Sequence, residues 1–301
     1  MGKDNEKPAG TLYIAATPIG NLEDITLRCL RVLGDVDLIA AEDTRHTRKL
    51  LTHFDISTPL ISYYREKEAE RSAQLIERLL GGESIALVSD AGTPGISDPG
   101  AMLVAKARIV GIEIVPLPGA SAITTAFSAA GLTNPHFLFL GFAPSKKSQR
   151  RSLLTSLIDA PWPIIFYESP RRIQGLLSDI LNIMGDRQAF WGRELTKAYE
   201  ELKSDTIANL LDFAALKKNR GEIVLIVEPG IITCAEGENL QELLIWYRDN
   251  TQMSLKDVSR KIAGDLGLSR SNVYREALGI FKNKEQSASI HGTSGHQRKT
   301  L

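Results

Sequence analysis

For about 230 residues the chain alternates short, uninterrupted apolar runs with longer amphipathic stretches. Leu12-Tyr-Ile-Ala-Ala16, Asp37-Leu-Ile-Ala-Ala41, Leu60-Ile-Ser-Tyr63, Ile85-Ala-Leu-Val88 and Ile112-Glu-Ile-Val115 read as strands. Helical periodicity lies between them over 24–33, 45–53, 66–80 and 98–110. A strand without polar alternation is covered on both faces, and helices supply the cover. A second series follows Gly131: Phe137-Leu-Phe-Leu140, Ile164-Ile-Phe-Tyr167, Ala189-Phe-Trp191 and Ile223-Val-Leu-Ile-Val227, with helices over 148–159, 170–183 and 206–216. The pattern predicts an α/β fold of two tandem α/β domains, 11–130 and 131–232, with a cleft between them. After Pro229-Gly230 only helical periodicity remains. Leu240, Leu243, Leu244, Trp246 and Tyr247 form one apolar set. Two helices separated by Gly267 and a Ser269 cap then suggest a small helix-turn-helix-like domain over 238–283. The polar stretches 1–10 and 284–301 are expected to be a flexible N-terminus and a disordered tail.

Charge narrows the partners only locally. Lys+Arg and Asp+Glu are 36 each, so no global field favours nucleic acid. Cys29 and Cys234 lack metal-ligand spacing, and Cys29 reads as a small core residue. No metal site is expected, His46 having no second ligand at suitable spacing. Met1–Gly10 carries no apolar core of a signal peptide. The uncharged stretch 114–135 is long enough for a membrane span, but its prolines, glycines and hydroxyl residues fit a strand, a loop and a small-residue helix instead. A soluble, cytoplasmic protein is expected.

The strongest local feature is Ser89-Asp90-Ala91-Gly92-Thr93-Pro94-Gly95, delivered by the strand Ile85–Val88. In α/β sheets ligands bind beyond the carboxyl ends of strands, and glycine lets a ligand approach the backbone closely. Asp98-Pro99 is expected to cap and open the next helix. No phosphate-cradling glycine motif occurs, so a loop led by a carboxylate suits a ligand with hydroxyls or positive charge. Thr17-Pro18-Ile19-Gly20-Asn21, Pro116 to Ala122 and Tyr167 to Arg172 are tight, polar-tipped turns of the same style. Together they favour a cleft.

These turns carry a resemblance. Thr-Pro-Ile-Gly-Asn-Leu-Glu-Asp-Ile-Thr (17–26), Ala-Glu-Asp-Thr-Arg (41–45), Ser-Asp-Ala-Gly-Thr-Pro (89–94), Gly-Phe-Ala-Pro and its basic run (141–151), Phe-Tyr-Glu-Ser-Pro-Arg-Arg (166–172) and Gly-Arg-Glu-Leu-Thr-Lys (192–197) resemble the bacterial small-subunit ribosomal RNA 2'-O-ribose methyltransferases. That family belongs to the tetrapyrrole-methylase-like class. The match runs from about residue 11 to 229, with a similar helical tail. It implies S-adenosylmethionine as cofactor in the interdomain cleft, held by Pro18, Asp90, Ala91, Gly92, Thr93, Ser121, Ala122 and Tyr167. It also implies a homodimer, and methyl transfer to the ribose of a decoding-centre cytidine in 16S rRNA of the small ribosomal subunit. One stretch departs: where many relatives place His and Asn after Tyr64, this chain has Arg65-Glu66-Lys67-Glu68, so no role carries over there.

A 2'-hydroxyl is a poor nucleophile until its proton leaves, so a base would help. Glu168, Glu194, Asp43 and a desolvated Lys197 are candidates on cleft-facing turns. By sequence none is separable from a structural ion pair, and the base stays unassigned. For RNA, Lys146, Lys147, Arg150 and Arg151 form a basic run suited to phosphates. Arg45, His46, Arg48 and Lys49 form a second group, and Arg171, Arg172, Arg193 and Lys197 would line the cleft. Two competing readings are a tetrapyrrole methylase on the same fold and a nucleic-acid-binding regulator acting through the C-terminal helices. The basic run at 146–151 argues against the first, and the acids Asp257, Asp265 and Glu276 among the helix cations argue against the second.

Overall fold

The structure is a computed structural model and describes residues 8–216, 221–230, 238–251, 253–266 and 268–290. It divides into two compact units, Met1–Gly230 and Ile231–Leu301.

The first sheet contains β1 (Thr11–Ala15), β2 (Leu38–Ala41), β3 (Leu60–Ser62), β4 (Ile85–Val88) and β5 (Glu113–Leu117) in the order β3-β2-β4-β1-β5. All its pairings are parallel. β2 and β4 are buried along their whole length, as their unbroken apolar runs require. Helices α1 (Leu27–Asp35), α2 (Thr44–His53), α3 (Glu68–Leu80) and α4 (Ala101–Ile109) connect the strands. Leu12, Leu75, Leu79, Ile85 and Leu103 pack in one core cluster, and Cys29, Leu33, Ile39 and Val88 in a second. Cys29 is a core residue as expected: its thiol donates to the Ala16 carbonyl at 3.4 Å, and burial pushes it up to about 11. Cys234 lies outside the described residues.

Helix starts follow their caps rather than the hydrophobic period. α1 begins at Leu27 because the Thr26 hydroxyl accepts from the Cys29 amide at 3.0 Å. α4 begins at Ala101, with Gly100 as its cap at φ +142, so Asp98-Pro99 does not open it. A Cβ on Gly100 would lie 2.8 Å from Leu87 Cδ2, which reserves the position for glycine.

α5 (Ala122–Ala129) leads into the second sheet: β6 (Leu138–Phe142), β7 (Ile164–Glu168), β8 (Gln188–Arg193), β9 (Glu201–Thr206) and β10 (Ile223–Val227). Its order is β6-β7-β10-β8-β9, and only β6–β7 is parallel. β9 has no counterpart in the sequence reading. It is an edge strand, Glu-Leu-Lys-Ser-Asp-Thr, with little apolar signal to betray it. α6 (Lys147–Ser156), α7 (Ile173–Met184) and α8 (Ile207–Leu216) cover the sheet. Ile19 and Ile123 from the first half share a cluster with Ile165, Phe190 and Val224 from the second, so the halves are joined by a common core.

Arg150 on α6 is a correction to the expected basic face. It is 9 % exposed, and its Nε and Nη2 donate to Asp179 of α7 at 2.9 and 2.6 Å. The helix period turns it inward while Lys146, Lys147 and Arg151 stay exposed.

The second unit contains α9 (Glu238–Asn250), α10 (Leu255–Leu266) and α11 (Arg270–Ile290) around Leu244, Val258, Ile262, Val273 and Ala277. Leu240, Leu243 and Tyr247 join that core, whereas Trp246 is 54 % exposed. α11 runs to Ile290, past the expected tail boundary at 284, because nothing in Lys284-Glu-Gln-Ser-Ala breaks a helix. The rest of that tail, 291–301, and Gly267 and residues 1–7 lie outside the described residues. No helix among the described residues is long and apolar enough to cross a membrane.

The Arg150–Asp179 pair makes a stability prediction. Asp179→Ala strands a buried guanidinium, so urea denaturation should show a loss of about 3–5 kcal/mol. A loss below about 1 kcal/mol would mean the pair is solvated.

Candidate active site

Parallel strands place their carboxyl ends on one edge, so the turns after β1, β2, β4 and β5 converge. Thr17 and Gly92 seal two of these turns together, each amide donating to the other's carbonyl at 2.9 Å. Gly92 does so at φ +79. The Thr17 hydroxyl adds a bond to the Ser89 carbonyl at 3.1 Å. Asp90 then ties in the β2 turn, its Oδ1 accepting from the Asp43 amide at 2.9 Å. Antiparallel pairing does the equivalent job in the second sheet. Ile223 lies opposite both Glu168 and Arg193, so the end of β7, the end of β8 and the start of β10 share an edge.

Between these edges lies a cleft of about 400 Å³. Of the expected cofactor residues, Asp90, Ala91, Gly92, Thr93, Ser121, Ala122 and Tyr167 all line it. Thr93 Oγ1 donates to the Ala120 carbonyl at 3.2 Å, joining the β4 and β5 turns. Tyr167 is stacked edge-on against Phe139 and Phe142, and burial, with the nearby Asp98, raises its hydroxyl to about 12. Pro18 lies elsewhere, in a smaller pocket with Thr17, His46, Lys49 and Ser89 that shares Asp90 with the main cleft.

The lining also holds four polar groups that the sequence reading did not assign to the cleft: Glu42, Ser97, Asp98 and Glu222. Asp98 had been read as a helix cap. Burial, reinforced by Glu42 and Asp90, pushes its carboxyl up to about 6, with Arg65 opposing. Burial and Asp90 likewise raise Glu42. Motif position within Ala-Glu-Asp-Thr-Arg could have flagged Glu42; Glu222 needed the β10 register.

The nominated catalytic groups are mostly engaged. Glu168 is 2 % exposed; its Oε1 accepts from the Ser169 amide at 2.8 Å and its Oε2 pairs with Arg172 at 3.3 Å. Burial raises its carboxyl against those partners. Lys197 Nζ bonds Glu194 Oε1 at 2.8 Å and Glu222 Oε2 at 3.3 Å. Burial alone would lower the amine, but these carboxylates outweigh it and raise it, so Lys197 stays charged rather than acting as a base. For Glu194 burial is outweighed by Lys197 and the Glu222 amide, and its carboxyl is held low. Asp43 is not in the cleft lining: it caps α2 and pairs with Arg45, which holds its carboxyl well below the usual carboxylate range.

The basic candidates divide. Arg45, His46, Arg48 and Lys49 are exposed along α2, and Arg45, Arg48 and Lys49 line a shallow groove with His53. Lys146, Lys147, Arg151 and Arg171 are also exposed. Arg172 instead holds the Ala143 carbonyl as well as Glu168, and Arg193 is paired with Glu201 at 3.0 Å. In the C-terminal unit Arg260 and Lys261 sit 3.4 Å from Asp257 and Asp265, which blunts a nucleic-acid face there. Among the described residues no three His, Cys, Asp or Glu are grouped to hold a metal ion.

Carboxylates therefore dominate the cleft. Asp90, Asp98, Glu42 and Glu222 line it together with one cation, Lys197, which is neutralised by two acids. Such a wall repels phosphate and favours a cationic ligand.

Residues 11–211 match the family model described as Tetrapyrrole (Corrin/Porphyrin) Methylases. Among curated proteins, the chain is 42% identical over 276 residues to "Ribosomal RNA small subunit methyltransferase I" of Halalkalibacterium halodurans, covering 88% of this chain and 93% of that protein. It is 43% identical over 279 residues to the protein so named in Pseudomonas aeruginosa, covering 90% and 97%. Among solved structures, diphthine synthase superposes with a TM-score of 0.58 at 17% identity, over 73% of this chain and 90% of that one. A uroporphyrin-III C-methyltransferase from Thermus thermophilus, complexed with S-adenyl homocysteine, superposes with a TM-score of 0.53 at 14% identity, over 72% and 97%. At that identity these two share the fold alone. With its strand order, its carboxylate-lined cleft and these matches, the chain belongs to the tetrapyrrole methylase family and, within it, to the ribosomal RNA small subunit methyltransferase I group.

Proposed function

We propose that the protein transfers a methyl group from S-adenosylmethionine to the ribose 2'-oxygen of a decoding-centre cytidine in small-subunit ribosomal RNA, in the cytoplasm. The observation that carries this reading is the cation-favouring, phosphate-repelling cleft whose walls are the expected donor-binding turns. The names of the relatives supply the class of acceptor. S-adenosylmethionine is consumed at each turnover, so it is a co-substrate, and when bound it supplies an electrophilic methyl on a positive sulfonium. Asp90 would accept from its hydroxyls, the amides of Ala91 to Thr93 would line its edge, and Tyr167 with Ala122 would cover its apolar surface. The surrounding carboxylates offset the positive charge of donor and transition state alike. Alignment of acceptor with methyl can contribute several kcal/mol, about 7–11 at most.

The exposed cations lie outside the cleft, where the acceptor's phosphates would have to be held. Lys146, Lys147 and Arg151 on α6 and Arg45, Arg48 and Lys49 on α2 are the proposed RNA contacts. Phosphate contacts position a nucleic acid without reading its sequence.

Purified protein should transfer labelled methyl to small ribosomal subunits lacking the mark, and digestion should return the label as a 2'-O-methylated nucleoside. Label on a base, or on an added porphyrinoid instead of the subunit, would contradict the reading. Asp90→Ala should weaken S-adenosylhomocysteine binding by calorimetry about tenfold or more, the value of a lost charge-assisted hydrogen bond; unchanged affinity would move the site. Lys147→Glu with Arg151→Glu should raise KM for subunits, flatten its salt dependence by about one power per lost phosphate contact, and leave S-adenosylhomocysteine affinity as it was. An unchanged KM would remove α6 from the RNA surface.

A further inference from the structure

The turn between β8 and β9 is a tightly constrained surface loop. Glu194 and Thr196 both have positive φ, at +51 and +64. For a β-branched threonine that conformation is costly, so surrounding contacts must impose it. Inside the loop the Lys197 amide donates to the Glu194 carbonyl and the Glu200 amide to the Lys197 carbonyl, both at 3.0 Å. The Glu200 carboxylate accepts from the Thr196 amide at 2.7 Å. From outside, the Asn21 amide donates to Thr196 Oγ1 at 3.1 Å. Gly20 lies so close that a Cβ there would meet Lys197 Cγ at 2.4 Å. The loop is thus pinned to the turn after β1.

What this scaffold presents is Tyr199. It is 79 % exposed, and its ring packs against no other aromatic ring among the described residues. An exposed ring alone means little; its place on the surface is what gives it a use. Tyr199 lines a shallow hollow with Asn21, Glu23, His53 and Lys197. Lys197 also lines the main cleft, and His53 also lines the groove of Arg45, Arg48 and Lys49 along α2. Cleft, hollow and basic groove therefore adjoin in that order.

That order matches the parts of a bent RNA strand. A ribose that reaches the cleft has left the regular stack of its strand, so the base beside it loses a neighbour. An aromatic side chain can replace that neighbour whatever the base, because every base has a π-face. We propose that Tyr199 is the stacking platform for the base of a nucleotide next to the acceptor, whose phosphate is held by Arg45 and Arg48 of α2. This rests on the reading of the protein as a ribosomal RNA ribose methyltransferase. Polar edges of the base meet Asn21 and Glu23, and Leu22, 39 % exposed, adds apolar surface to the same hollow. A second copy of this chain suits the hollow less well. The core of a protein interface is depleted of charge, whereas Glu23, His53 and Lys197 share this hollow with the ring.

The test uses the full-length protein, small ribosomal subunits lacking the mark, and the variants Tyr199→Ala, Tyr199→Phe and Tyr199→Trp. Tyr199→Ala should raise KM for subunits about tenfold or more, the value of one lost base–aromatic stack, with the loss falling on KM rather than kcat. Tyr199→Phe and Tyr199→Trp should return KM to within about threefold of wild type, because the ring and not the hydroxyl makes the contact. The salt dependence of KM should stay as steep in Tyr199→Ala as in wild type, since stacking releases no counterions. The ring stands in water in the free protein, so the melting temperature should not move. An unchanged KM in Tyr199→Ala overturns the proposal alone, and so does a Tyr199→Phe protein as impaired as Tyr199→Ala. A sedimentation mass that halves in Tyr199→Ala assigns the ring to a contact between copies of this chain and overturns the proposal equally. Failure of the wild type to methylate subunits, or label on a base, overturns the functional reading itself, and the platform with it.

Discussion

Two hydrogen bonds between the Thr17 and Gly92 backbones hold the floor of the cleft together. They join the turns after β1 and β4, neighbours in the first sheet but far apart in the chain. The bonds require Gly92 at φ +79, a conformation glycine adopts without a Cβ penalty. With the floor sealed, Asp90 reaches the Asp43 amide and brings in the β2 turn, and Thr93 reaches Ala120 and brings in the β5 turn. Four strand ends become one binding wall by this means. The opposing wall depends on the shared core of Ile19, Ile123, Ile165 and Val224, which fixes the second sheet against the first.

Electrostatics then sort the two halves of the reaction. Acids collect inside the cleft, and the one lysine there is committed to Glu194 and Glu222. Exposed cations collect on α2 and α6. A positive donor and a polyanionic acceptor need opposite surroundings, and a chain with zero net charge supplies both by segregating its residues. Overall charge was therefore no guide to the partner, while local distribution is.

Much of this was legible in the sequence. β1, β2 and β4 announce themselves as unbroken apolar runs, and the Ser89–Gly95 loop marks a strand end that opens onto the cleft. Seven of the eight residues assigned to the donor line one cleft. What failed depended on partners distant in sequence. Arg150 looked like one member of a basic run, but Asp179 on α7 claims it. Asp98-Pro99 matched a helix start, yet the loop stays irregular until Gly100 and turns the carboxylate into the cleft instead. Glu222 precedes a strand whose antiparallel register alone brings it beside Lys197. β9 is polar at five of its six positions because it is an edge, and edge strands carry the weakest pattern.

The most direct test of the central claim is a crystal structure of the protein with S-adenosylhomocysteine. The account predicts the ligand in the cleft walled by Asp90, Thr93, Ser121 and Tyr167, with a ribose hydroxyl within hydrogen-bond distance of Asp90. Density for the ligand in the α2 groove, or in the smaller pocket beside Pro18 with the main cleft empty, would contradict it.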